Sequence, residues 1–207
     1  GSAWGITPII ANSGAVNITG TSTTTGNGVE LGPNNSISAK SITIIGSEVG
    51  GQYAVYLNTL TIVAGGTNLN VTGTVVTNTD TGIYQLGNIT DNAAGSNISF
   101  ISNNYINQVG AITMAANTGA SVANVTYDTT TGTNASKITA GTVAMGAGTS
   151  TSAINYRVKT NGAIISIPAI TVPGYILLDD SCLGCSTRTT TSTAAANSAA
   201  ITMTGAR

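Results

Sequence analysis

Apolar residues in this chain come singly or in short β-branched runs, and Gly, Asn or Asp interrupts them every few positions. Alternation of this kind marks strands, and no stretch carries the three-to-four-residue spacing of an amphipathic helix. The pattern predicts strands at Val16–Thr19, Val29–Leu31, Ser41–Ile45, Ala54–Leu57, Leu60–Val63, Leu69–Thr72, Ile83–Leu86, Asn97–Ile101, Ala111–Met114 and Val122–Tyr127. The fold class is all-β.

The strands recur. Asn17-Ile-Thr-Gly20, Thr43-Ile-Ile-Gly46 and Asn70-Val-Thr-Gly73 each end a β run on glycine, and the glycines stand 26 and 27 residues apart. A second strand follows in each unit and ends on leucine: Gly28-Val-Glu-Leu31, Ala54-Val-Tyr-Leu57 and Ile83-Tyr-Gln-Leu86. These leucines stand 26 and 29 apart. Asn97-Ile-Ser-Phe100 with Gly110-Ala-Ile-Thr-Met114 reads as a fourth unit. A period in the twenties with glycine corners predicts a parallel β-helix, whose coils stack at about 4.8 Å. Inward Ile, Val and Leu would form apolar ladders, and outward Thr, Asn and Ser would bond along the coils. The alternative is an antiparallel β-sandwich of the pilin or donor-strand type.

The texture divides the chain into a repetitive β-solenoid over 1–150, a β-meander cap over 151–186 and a low-complexity tail over 187–207. In the cap, Ile154–Thr160 alternates, Asn161-Gly162 is a hairpin signal, and Ala163–Ile167, Ile170–Val172 and Tyr175–Leu178 follow. The tail ends in Ala200-Ile-Thr-Met-Thr204. Ile201 and Met203 alternate there as a candidate assembly strand, added to the chain's own body or to a neighbour's sheet edge.

Composition narrows the function. Ser, Thr, Asn and Gly supply 102 of 207 residues, only 6% are charged, and histidine is absent. A soluble domain ordinarily carries about 25% charged residues. The groups that run acid–base, metal and phosphate chemistry are therefore scarce, and so is the charge repulsion that keeps proteins apart. The chain is still 41% apolar, enough to bury a core. Six scattered Lys and Arg and a net charge of −1 argue against nucleic acid as a partner. No apolar run is long enough for a membrane-inserted helix.

The runs Asn17-Ile-Thr-Gly20, Gly28-Val-Glu-Leu31 and Gly65-Gly-Thr-Asn-Leu-Asn-Val-Thr-Gly73 resemble the repetitive passenger regions of large bacterial secreted adhesins, of the filamentous-haemagglutinin and autotransporter type. The resemblance covers about residues 14–115. It implies a right-handed β-helix, a bacterial cell-surface location and a role in adhesion or surface architecture. Residues 150–207 depart from that pattern, and a small self-assembling filament subunit is similar in composition.

Candidate chemistry is thin. Seven carboxylates are present (Glu30, Glu48, Asp80, Asp91, Asp128, Asp179, Asp180). Glycosidic hydrolysis needs two of them facing one bond. Only Asp179 and Asp180 are adjacent; strand neighbours point to opposite faces, and the pair reads better as the start of a turn into Cys182. Cys182-Leu-Gly-Cys185 has no second CxxC and no histidine for zinc, so a tight disulfide in a secreted protein is the expectation, with free thiols as the alternative. Gly50-Gly51 and Gly65-Gly66-Thr67 lack the lysine of a phosphate loop and read as corners. Thr21-Ser-Thr23, Thr72-Gly-Thr74 and Thr202-Met-Thr204 keep no short period, which leaves an ice-binding plane as a weak third option. Tyr56 and Tyr84 fall at one repeat position, which favours a ladder stacked in the wall over a sugar platform.

These observations predict no catalytic, cofactor or metal site. The expected function is a non-enzymatic extracellular building block of a bacterial cell-surface filament or adhesin, with copies of itself and surface glycans as partners. The alternatives are a passenger segment of a giant adhesin that binds glycans, and a polysaccharide-processing β-helix enzyme.

Overall fold

A computed structural model describes residues 8–77, 79–115, 123–132 and 138–144 in full. It describes the backbone alone of 122, 145 and the strands spanning 153–160, 164–171, 175–180, 189–194 and 200–205. In chain order the early strands are β1 (Ile9–Ser22), β2 (Val29–Glu30), β3 (Ser36–Glu48), β4 (Tyr53–Leu57), β5 (Thr59–Ile62), β6 (Asn68–Val75) and β7 (Thr81–Gln85). There follow β8 (Ile89–Asp91), β9 (Asn97–Ser102), β10 (Tyr105–Gln108), β11 (Ile112–Met114), β12 (Val122–Asp128), β13 (Ile138–Thr139) and β14 (Val143–Met145). The last are β15 (Ala153–Thr160), β16 (Ile164–Thr171), β17 (Tyr175–Asp180), β18 (Thr189–Ala194) and β19 (Ala200–Gly205).

The strands stack in parallel as a three-faced β-solenoid, with about five turns over residues 9–145. A long face is built from the second halves of β1 and β3, then β6, β9 and β12. The second face stacks β2, β4, β7, β10 and β13. The third takes the first halves of β1 and β3, then β5, β8, β11 and β14. No helix occurs among the described residues.

In-register stacking explains the core. Along β6 burial alternates residue by residue, as a strand with one wet face demands. On the long face Ile42, Leu69, Ile98 and Val125 align in successive coils, as do Ile44, Val71, Phe100 and Tyr127. Val29, Val55, Ile83, Ile106 and Ile138 form the ladder of the second face. Ile37, Leu60, Ile89, Ile112 and Val143 form that of the third. All these side chains are buried. Each contributes about 1.5–3 kcal/mol relative to exposure, so the ladders hold the coils together.

The repeated glycines are corners by lack of space. Gly20, Gly46 and Gly73 are in register, and a Cβ on them would overlap the carbonyls of Gly28, Ala54 and Gly82, where the second face begins. The leucine repeat is only half aligned. Leu31 follows Glu30, the partner of Tyr56, and so stands over Leu57; Leu57 in turn pairs with Gln85. Leu86 is displaced to the corner and is 38% exposed. The coil from Val71 to Phe100 takes 29 residues where its neighbours take 27, and the surplus shifts that leucine. In the fourth coil, Gly110–Met114 supplies the third face, and the second face is Tyr105–Gln108.

The expected β-meander cap over 151–186 is corrected. β15 pairs in parallel with β12 and β17, and β16 pairs in parallel with β13, β14 and β18. The coils simply continue. An Asn-Gly pair favours a hairpin locally, yet the open edge of β12 offers β15 a complete row of backbone partners. Asn161 and Gly162 themselves lie outside the described residues, as do Cys182 and Cys185. The tail adds two more rungs: β19 pairs with β17, placing Ile201 opposite Ile176 and Met203 opposite Leu178.

Candidate functional site: the tyrosine face

The second face carries the densest aromatic surface of the described residues. Its outward positions run Glu30, Tyr56, Tyr84, Asn107 and Thr139 in successive coils. A second row runs Tyr53, Thr81 and Tyr105. Because parallel coils repeat at about 4.8 Å, equivalent aromatics meet face to face. The rings of Tyr56 and Tyr84 stack with centroids 5.5 Å apart and planes 17° apart. Tyr53 leans on both, 5.5 Å from Tyr56 and 4.9 Å from Tyr84.

The stacked pair was legible in the repeat. Tyr53 was not, because strict alternation puts residues 53 and 56 on opposite faces. In β4 and β7 two consecutive residues are buried instead, Ala54-Val55 and Gly82-Ile83. That irregularity brings Tyr53 and Tyr56 out on the same side, and the two buried neighbours are the only sequence trace of it.

Burial pushes the Tyr56 phenol above its ordinary pKa, and neighbouring Tyr84, Tyr53 and Glu30 add to the rise. Its hydroxyl therefore remains a hydrogen-bond donor across the physiological range. Beyond Tyr84 the face dips into a groove of about 280 Å³ lined by Thr81, Tyr105, Ile106, Asn107 and Thr139. The face thus combines flat aromatic rings with neutral hydroxyl and amide groups, the composition that holds rings with apolar faces and polar edges. Among the described residues it presents no nucleophile–base pair.

The carboxylates are distributed otherwise. Asp91 lies inside the third face, in register between Ile62 and Met114. Glu48 and Asp80 face each other at the corner between the long and tyrosine faces. Asp179 and Asp180, expected at a turn, are the last two residues of β17 and pair with Lys159 and Thr160. No known protein family, curated protein or solved structure matches the chain. No helix among the described residues is long and apolar enough to cross a membrane.

Proposed function

We propose that the chain is a structural rod of a bacterial cell-surface filament or adhesin. It acts outside the cell by self-association and attachment, without catalysis. One observation supports this reading: the coils stack strand on parallel strand, an arrangement that a strand of another copy can extend. Among the described residues β1 pairs only with β3, and β19 only with β17. Each leaves a row of backbone donors and acceptors that a strand of another copy fits. The low charge of the chain removes the repulsion that would oppose such stacking.

Negative-stain microscopy of the full chain and of a variant lacking residues 189–207 tests it. Rods that need the tail are expected. Rods of equal length in both samples would remove β18 and β19 from the assembly, and isolated particles in both would overturn self-association.

The tyrosine face favours a second reading, a passenger segment that binds glycans. Retention of the protein on immobilised glycans, lost in Tyr84→Ala, is its signature. Equal retention of the variant would dismiss it.

A further inference from the structure

The outer rows of the tyrosine face change character at β10. The row of Glu30, Tyr56 and Tyr84 steps down to Asn107 and Thr139, and the row beside it runs Tyr53, Thr81 and Tyr105. The irregularity that crowds Tyr53 onto Tyr56 and Tyr84 ends here. Gly82 separates Thr81 from Ile83, whereas their partners Tyr105 and Ile106 are adjacent. Burial in β10 therefore alternates strictly, and Tyr105 and Asn107 point outward on either side of Ile106, about 6.7 Å apart along the strand. With Thr81 and Thr139, one coil away on each side, they surround the groove of about 280 Å³. The Ile106 side chain is in the core, so its backbone supplies the floor.

The groups around this groove are unspent. Tyr53, Tyr56 and Tyr84 stack on one another, whereas the Tyr105 ring meets no other ring among the described residues. The side chains of Thr81, Tyr105, Asn107 and Thr139 have no hydrogen-bond partner among the described residues. On the long face, by contrast, Asn68, Asn97 and Asn124 bond to each other.

The surroundings narrow the ligand. β10 is paired on both sides, with β7 and β13, and so offers no free backbone to an added peptide strand. The residues lining the groove are uncharged, and Glu30 stands three coils from Asn107. An acidic ligand would lose water there without gaining a counter-ion. The groove suits a neutral ligand with an apolar face for the Tyr105 ring and hydroxyls for the amide and the threonines. We propose that it binds a hexose ring of a neutral, linear glycan running along the solenoid axis. This inference rests on the glycan-binding reading of the tyrosine face and adds the place and the class of sugar. From Thr81 to Thr139 the groove crosses two coil spacings, about 10 Å, which is room for about one or two rings of such a chain.

The test is retention of the full chain on columns of immobilised mannan, linear β-glucan and galactan, with polygalacturonate as the acidic counterpart. Retention on at least one neutral glycan and none on polygalacturonate is expected. Tyr105→Ala should weaken binding about tenfold and Asn107→Ala about fivefold, with thermal midpoints in the absence of glycan unchanged. Asn107→Ala serves if the first variant fails to fold. Tyr105→Phe keeps the ring and should stay within about threefold of wild type. Retention on polygalacturonate equal to that on the neutral glycans would overturn the sugar class while glycan binding itself stands. Retention lost in Tyr84→Ala but untouched by Tyr105→Ala and Asn107→Ala would overturn the groove and leave binding on the tyrosine stack. No retention on any of the four would overturn both.

Discussion

The Ser96 hydroxyl donates to the carboxylate of Asp91 inside the apolar ladder of the third face. The Ala93 N–H donates to the other carboxylate oxygen at 2.9 Å. Asp91 thus occupies a rung between Ile62 and Met114 and is 1% exposed. Burial raises its pKa above the ordinary 3.8, and the bonds from Ser96 and Ala93 only partly offset this. The folded state therefore holds the proton more tightly than the unfolded chain does. Its stabilising contribution is complete below pH 3.8 and is lost as pH rises through the folded value. Asp91→Asn keeps an acceptor for Ala93 and carries no charge to bury. We expect it to raise the unfolding midpoint near neutral pH and to bring variant and wild type together as the pH falls toward about 4. A wild-type-minus-variant difference that is flat across that range would contradict the buried charge.

Tyr127 reaches across the interior. Its ring stacks on Phe100 with centroids 5.3 Å apart, and its hydroxyl donates to Gln108 Oε1 on the tyrosine face. Gln108 Nε2 donates in turn to Gly110 O at 2.8 Å. Tyr127→Phe retains the stack and strips the Gln108 carbonyl of this donor. The expected loss is about 1–3 kcal/mol, against about 3–5 kcal/mol for Tyr127→Ala, which also opens a cavity. Denaturant midpoints of the two variants separate the contributions, and a Tyr127→Phe variant as stable as wild type would show that the hydroxyl contributes nothing.

What the sequence revealed followed the physics of stacking. Identical or similar residues at one coil position, such as Gly20, Gly46 and Gly73 or Tyr56 and Tyr84, advertise themselves through their spacing. Three kinds of feature stayed hidden. β8, β10, β13 and β14 are two to four residues long and contain too little alternation to register. Gln85 and Gln108 take up a ladder begun by Leu31 and Leu57, and a buried glutamine looks like a surface residue until its partners are known. Glu48 and Asp80 come from two coils and two unrelated local contexts, so no motif announces their meeting. The local Asn-Gly hairpin signal misled because a strand edge waiting on β12 outweighs the preference of two residues.

The exposed corner of the long face carries an asparagine ladder. Asn97 Nδ2 donates to Asn68 Oδ1 at 3.3 Å, and Asn124 Nδ2 donates to Asn97 Oδ1 at 2.7 Å. The Asn97 amide gives to one neighbour and accepts from the other, which a carboxylate cannot do. Asn97→Asp should set two acceptors against each other at Asn68 and cost about 0.5–1.5 kcal/mol, softened by water. Asn97→Ser, too short to reach either neighbour but uncharged, should cost less. A chemical-denaturation comparison of the two decides it, and an Asp variant as stable as wild type would show that water carries the ladder's bonds.

The repeated glycine predicts the sharpest contrast. Gly46 is pressed between coils, where a Cβ would overlap the Ala54 carbonyl and crowd the Val55 side chain at 2.5 Å. The obstruction is backbone, and it belongs to β4, whose outer surface carries Tyr53 and Tyr56. Gly46→Ala must therefore push the long face away from the tyrosine face rather than rotate a side chain aside. We expect a loss of more than about 3 kcal/mol, in the range of severe overpacking. Gly14 lies in the bend of β1, where an added Cβ meets nothing within 4 Å. Gly14→Ala should change stability by less than about 1 kcal/mol, with a gain favoured because alanine loses less backbone freedom on folding. Thermal unfolding of both variants beside wild type provides the measurement. Equal, small effects at the two positions would mean that the coils can separate at this corner without penalty, and the role of glycine in the 26-residue repeat would need another cause.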